Sequence, residues 1–147
     1  MSRYHERVWA SPALFIATAL VIPASLLVFF PIDLLVGIVV AGVLYAGCVL
    51  LLIVGSPAID ITDTELRAGN ATLPLSSISG ATAYRGTEAR AERGPRLDAR
   101  AWLSIRGWVD PVVRIQLDDA DDPTPYWLLS TRRPEEIVQV LDQVRAQ

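Results

Sequence analysis

Two uncharged apolar runs, separated by three residues, constrain this chain more than any other feature. Ala13 to Phe30 carries no charge, and its only polar side chains are Thr18 and Ser25. Leu34 to Val54 is apolar apart from Tyr45 and Cys48, with glycines at 37, 42 and 47. Between them lie Pro31, Ile32 and Asp33. At ~1.5 Å per residue each run reaches roughly 27–32 Å as a helix, the thickness of a bilayer's hydrocarbon core. The expectation is a transmembrane helical hairpin with spans at about 12–30 and 34–54. Ser11 stands where a cap for the first span belongs, and Pro12 fits its first turn. Pro23 should kink that span, Pro31 should end it, and Asp33 should cap the second. Arg3 and Arg7 precede the first run, whereas the turn has no Arg or Lys. The positive-inside rule then places the protein in the inner (cell) membrane, multi-pass, with both termini cytoplasmic, and Tyr4 and Trp9 suit the interfacial belt. The first run is too long for a secretory signal, and no clean small-x-small cleavage site follows it. Ala13 and Ala17 on one span, and Gly42 and Ala46 on the other, are spaced four apart. Such pairs permit close helix packing, within the hairpin or between protomers, although small residues are also common in membrane helices generally.

The rest of the chain changes period. Residues 1–57 read as a polar lead plus the hairpin, and residues 58–147 as one soluble domain, with room for a small independent core. Gly55-Ser56-Pro57 breaks the second span, and a strand pattern begins almost at once, so the domain is expected against the membrane surface. Ile59 and Ile61 alternate with Asp60 and Thr62, and Leu66 and Ala68 alternate with Glu65 and Arg67. Gly69-Asn70 is a favourable two-residue hairpin turn leading to a partner strand over 71–75. Further strands are expected at 78–84, 101–106, 111–118 and 126–131, with a loop over 85–100 and an acidic turn over 118–125. Pro134-Glu135-Glu136 opens a helix whose stripe is Ile137, Val138, Leu141 and Val144. About seven antiparallel strands plus a terminal helix make an α+β membrane protein: a transmembrane hairpin followed by a small antiparallel β-barrel or sandwich of pleckstrin-homology-like layout.

Several segments carry a resemblance. They are Tyr4-His5-Glu6-Arg7, Ile59-Asp60-Ile61-Thr62-Asp63, Glu65-Leu66-Arg67, Leu73-Pro74-Leu75-Ser76-Ser77-Ile78 and the run from Tyr126 to Glu136. With the hairpin, they resemble an actinobacterial family of small membrane proteins described only as a domain of unknown function, over nearly the whole chain. The Ile-x-Ile-x-Asp, Leu-Arg and Leu-Pro-Leu-Ser-x-Ile segments are also similar to bacterial pleckstrin-homology domains, many of which follow paired transmembrane helices. The resemblance implies a fold and a location, and brings no catalytic residues.

Four sets of residues are candidates for contact with something else. Arg85, Arg90, Arg93, Arg96 and Arg100 face Glu88, Glu92 and Asp98, a local excess of two positive charges. They read either as a contact to anionic lipid headgroups, at roughly 1 kcal/mol per well-placed Arg, or as a solvated loop that pairs its own charges. Trp102, Trp108, Tyr126 and Trp127 are core residues or partner-facing aromatics. Tyr126 and Trp127 must point to opposite faces of one strand, so one is expected inside and the other available, and Trp108 follows a glycine near a turn. Asp118, Asp119, Asp121 and Asp122 lack the spacing of a calcium loop and read as a solvated turn. Arg132 and Arg133 precede the last helix, where Glu135 and Glu136 compete with any anion for its free N–H groups.

Chemistry has little to build on. The one histidine, His5, is in the lead, and the one cysteine, Cys48, is in the second apolar run. No nucleophile has an evident base, and neither a phosphate loop nor a metal-ligand pattern is present. A net charge of −3 argues against nucleic-acid binding. The expectation is therefore a protein without enzymatic activity, cofactor or metal. It would serve as a scaffold or accessory protein that presents its domain at the cytoplasmic membrane surface and binds another membrane or cytoplasmic protein. The alternative is a subunit of a transport or envelope-assembly complex acting through its transmembrane helices.

Overall fold

The computed structural model describes residues 2–146. The chain starts with a strand, β1 (Ser2–Arg7). It then enters a helical segment made of α1 (Pro12–Ala19), α2 (Val21–Phe29) and α3 (Leu34–Val54). Trp9–Ser56 forms one compact unit, and the residues on either side of it together form the other.

Within the helical unit, α1 and α2 are the two halves of the first apolar run. They part at Leu20, three residues before Pro23. Proline has no N–H for the Ala19 carbonyl and its ring crowds it, so the ladder breaks there. Asp33 caps α3 as expected, its Oδ1 accepting from the amides of Leu35 at 2.7 Å and Val36 at 3.2 Å. Ser11 departs from expectation: its side chain makes no cap, and its carbonyl instead accepts from Leu14 N–H. The contact between α2 and α3 is made at small residues, with Ser25, Gly37 and Ala41 buried. A Cβ on Gly37 would meet the Phe29 Cβ at 3.1 Å, so glycine there lets the two helices approach.

The other unit contains two four-stranded sheets. β2 (Ala58–Thr62), β3 (Glu65–Ala68) and β4 (Ala71–Pro74) join β1 in the order β1-β2-β3-β4, all antiparallel. Gly69 at φ +60° and Asn70 without a positive φ give the β3–β4 turn the form with glycine at its first central position. A 3-10 turn, Leu75–Ser77, leads to β5 (Ile78–Tyr84) and α4 (Gly86–Arg93). β6 (Trp102–Ser104), β7 (Val112–Leu117) and β8 (Tyr126–Ser130) complete the second sheet in the order β5-β7-β8-β6. The helix α5 (Pro134–Arg145) follows, with proline and two glutamates in its first turn. Its Ile137 and Leu141 are buried in the same core as Ile59, Ile61, Ile115 and Leu129.

Several expectations are corrected. The polar lead is a strand: β1 pairs with β2 from Arg7↔Ala58 through Glu6↔Ile59 and Tyr4↔Ile61. The boundary drawn at residue 57 therefore fails at the N-terminal end, because residues up to Val8 belong with the domain. Tyr4, assigned to an interfacial belt, lies in the domain core beside Val8. The sheets do not close into one barrel, and β6 runs parallel to β8. Alternation of side chains reports the faces of a strand and is silent on its direction. The segment over 85–100 is not a continuous loop, since α4 occupies its first half.

β8 is the central fact of the second sheet. It lies between β7 and β6, and all five of its residues are buried. Trp127 and Leu129 face the main core, while Tyr126 and Leu128 face a second cluster with Ala89 and Val112. Leu128→Ala and Leu129→Ala should therefore each cost about 2–5 kcal/mol. Urea unfolding of the full chain in detergent measures both. A strand with one solvated face would lose only about 0.5 kcal/mol at one of them.

Candidate functional site

The arginine segment is built around α4. Ala, Glu and Arg favour helix, and the apolar Ala89 packs down onto Val112 and Leu128. Its charges are directed at other parts of the domain. Arg85 donates from Nε to Glu135 at 2.5 Å and from Nη2 to the same carboxylate at 2.6 Å. Arg93 reaches Asp110 at 2.7 Å, and Arg90 lies 3.8 Å from the same carboxylate. Arg96 pairs with Glu88 at 2.5 Å, and Arg100 with Asp98 at 3.1 Å. Asp110 and Glu135 come from outside the segment and supply two further carboxylates, while Arg90 and Arg93 share Asp110 and Arg114 takes Glu92. Four of the five arginines thus have a close carboxylate, and Arg90 lies farther out, 3.8 Å from one it shares, which weakens the attraction to anionic headgroups that five free guanidiniums would exert.

Beneath these pairs lies a buried one. Glu92 is 1% exposed, and its Oε2 accepts from Arg114 Nη1 at 3.0 Å. The Arg114 guanidinium also sits over the Tyr126 ring, 3.9 Å from its centroid. The Tyr126 hydroxyl accepts from the Asp98 amide at 2.7 Å. One strand residue, one helix residue and one aromatic ring thus fix α4 to the sheet. A buried pair of this kind contributes specificity more surely than stability.

Of the aromatics, Tyr126 and Trp127 are buried, and Trp102 and Trp108 are partly buried. Tyr126 and Trp127 do point to opposite faces of β8, but both faces are covered, so neither is available to a partner. Trp127 stacks on Trp102 with centroids 4.1 Å apart. Trp108 packs against the main core, and its Nε1 donates to the Val8 carbonyl at 3.4 Å. Ala13 and Ala17 of α1, and Gly42 and Ala46 of α3, are all exposed. Gly42 has no atom within 4 Å of where its Cβ would stand. The acidic turn folds on itself: Asp119 accepts from the Asp121 amide and from the Ser77 hydroxyl, and Asp122 accepts from the Thr124 amide. Arg133 lies 3.4 Å from Glu136, a local ion pair at the start of α5.

Sequence reasoning missed the clasp made by β1. On its core side, Glu6 Oε2 accepts from the Tyr4 hydroxyl at 2.7 Å and from the Thr131 hydroxyl. Glu6 Oε1 accepts from the Arg132 amide at 3.0 Å. Burial, reinforced by the Glu6 carboxylate, holds the Tyr4 hydroxyl above its ordinary titration range. On the opposite face, Arg3 pairs with Asp63 and His5 with Asp60, each at 2.5 Å. The available signal was the alternation of Tyr4, Glu6 and Val8, in which a carboxylate hides the apolar period. Among the described residues no group of three or more His, Cys, Asp or Glu side chains is placed to hold a metal ion.

The Arg85–Glu135 pair yields a direct test. The Arg85 guanidinium holds the Glu135 carboxyl at about 2, below the ordinary 4.5. Its contribution to stability is therefore full above pH 4.5 and is lost as the pH falls toward 2. In an NMR titration Glu135 should titrate near 2, and Arg85→Gln should return it toward 4.5. An unchanged midpoint in Arg85→Gln would show that the pair does not form.

No curated protein and no solved structure matches the chain significantly. The sequence model of a family described as "Protein of unknown function (DUF3093)" matches residues 3–141. That span takes in β1, the helical hairpin, both sheets and most of α5 as one unit. The chain belongs to the DUF3093 family.

Proposed function

We propose that this protein is a non-enzymatic scaffold or accessory protein of the cell membrane. Its two apolar helical runs form spans, and its α+β domain binds a protein partner at the cytoplasmic surface. The observation that carries this reading is the pairing of β1 with β2. The chain leaves the sheet after Arg7 and returns to it at Ala58, and these two residues are register partners. A cleaved signal sequence ending in the first run would remove Tyr4 and Val8 from the core. A two-span insertion keeps them, because its two ends emerge on the same side.

The character of the helices supports the spans. Pro12–Phe29 and Leu34–Val54 are long and apolar enough to cross a membrane, and only 6% and 11% of their windows are buried. A core helix of a soluble protein hides far more of itself. The charge pattern supports the direction, with Arg3 and Arg7 on the flank and neither Arg nor Lys between the spans. The partner is taken to be a protein because most of the arginines at α4 already have close carboxylates.

A second reading rests on the exposed small residues. Gly42 and Ala46 lie on the outside of α3, where another helix could approach closely. In that reading the protein is a subunit of a transport or envelope-assembly complex joined through its helices. Gly42→Leu with Ala46→Leu should then release co-purifying partners, whereas in the leading reading partners stay bound.

Topology is tested with single cysteines in a Cys48→Ser background. In right-side-out vesicles an impermeant maleimide should label Ile32→Cys, and should label Ser79→Cys only after lysis. Labelling of Ser79→Cys in intact vesicles would overturn the cytoplasmic placement.

A further inference from the structure

We infer that the soluble domain is sensitive to the topology of the hairpin: its core closes only when the chain before α1 and the chain after α3 lie on the same side of the membrane. This rests on the reading that the two apolar runs cross the bilayer. β1 is not an ornament on a finished sheet. Val8 is fully buried and Tyr4 is 5% exposed in the main core. The Val8 amide donates to the Pro57 carbonyl at 2.9 Å, directly across the mouth of the insertion. Glu6 collects the Tyr4 hydroxyl, the Thr131 hydroxyl and the Arg132 amide, tying the first strand to the junction of β8 and α5.

Remove β1 and three things follow. The core loses two side chains, β2 becomes an open edge, and the groups at the start of α5 lose their acceptor. A hairpin that inserts with one crossing instead of two puts β1 and β2 on opposite sides of the bilayer. Strand backbone cannot pair across hydrocarbon, so the domain is left unfinished. Correct insertion and domain folding are then one event. A misinserted chain exposes an unpaired strand edge and an open core.

Proteolysis of the domain tests this, in vesicles permeabilised so that protease reaches both sides for the chains that carry a span, and in solution for the turn-linked chain, which carries none. Four chains are compared: the full chain, a variant lacking residues 12–33, full-length Val8→Asp, and a chain in which residues 9–56 are replaced by a Gly-Asn turn. The single-span variant separates β1 from β2 whichever way it inserts. The inference expects cleavage within residues 58–146 to be about tenfold faster or more in the first two variants than in the full chain, because an open state is cut in proportion to its population. The turn-linked chain should be resistant again. A single-span variant as resistant as the full chain overturns the inference, and so does a turn-linked chain cut as fast as Val8→Asp. Release of the full chain by alkaline carbonate would instead overturn the membrane reading.

Discussion

The structure depends on one strand pair that the chain must travel a long way to make. β1 and β2 are hydrogen-bonded neighbours, yet the whole helical unit, Trp9–Ser56, lies between them in sequence. Closing a flexible loop costs free energy that grows only slowly, roughly as (3/2)RT ln n. The return is the burial of Tyr4 and Val8, at about 1.5–3 kcal/mol for each large apolar side chain. The clasp at Glu6 then fixes the first strand to a junction near the end of the chain.

The domain's second constraint is charge matching. Arginine is its only strongly basic residue type, and arginine's planar fork suits paired recognition of carboxylates. Exposed pairs such as Arg3–Asp63 contribute little individually. The pair that matters is Glu92 with Arg114, where a nearly inaccessible carboxylate meets a guanidinium lying over an aromatic ring. It positions α4, and α4 in turn covers the outer face of β8. That cover is why a strand expected to show one aromatic to solvent shows none. A docking surface on this domain must therefore be sought away from Tyr126 and Trp127.

Much of this was legible in the residues, and the failures have identifiable causes. Runs without charge gave the two apolar helices, and Asp33 and Pro23 marked a cap and a break. Period-two alternation placed β2, β3, β7 and the Gly69-Asn70 turn. β1 was hidden because Glu6 occupies a core-side position, where a carboxylate is not expected unless its partners are known, and these are residues 131 and 132. α4 was signalled by good helix formers from Glu88 to Arg93 but masked by the density of charge. The run Tyr126-Trp127-Leu128-Leu129 has no polar alternation, which is itself the mark of a strand buried on both faces. The parallel pairing of β6 with β8 had no local signal, because direction within a sheet is set by the path of the whole chain.

The residues ahead of the first apolar helix are an integral strand of the domain. Hydrogen exchange at the Val8 amide of the full-length protein in lipid measures this most directly, because that amide donates to the Pro57 carbonyl inside the core. Its protection should be comparable to that of Ile61 and Leu66 in the adjacent strands. Exchange at the rate of an unstructured peptide, with Ile61 and Leu66 still protected, would contradict it.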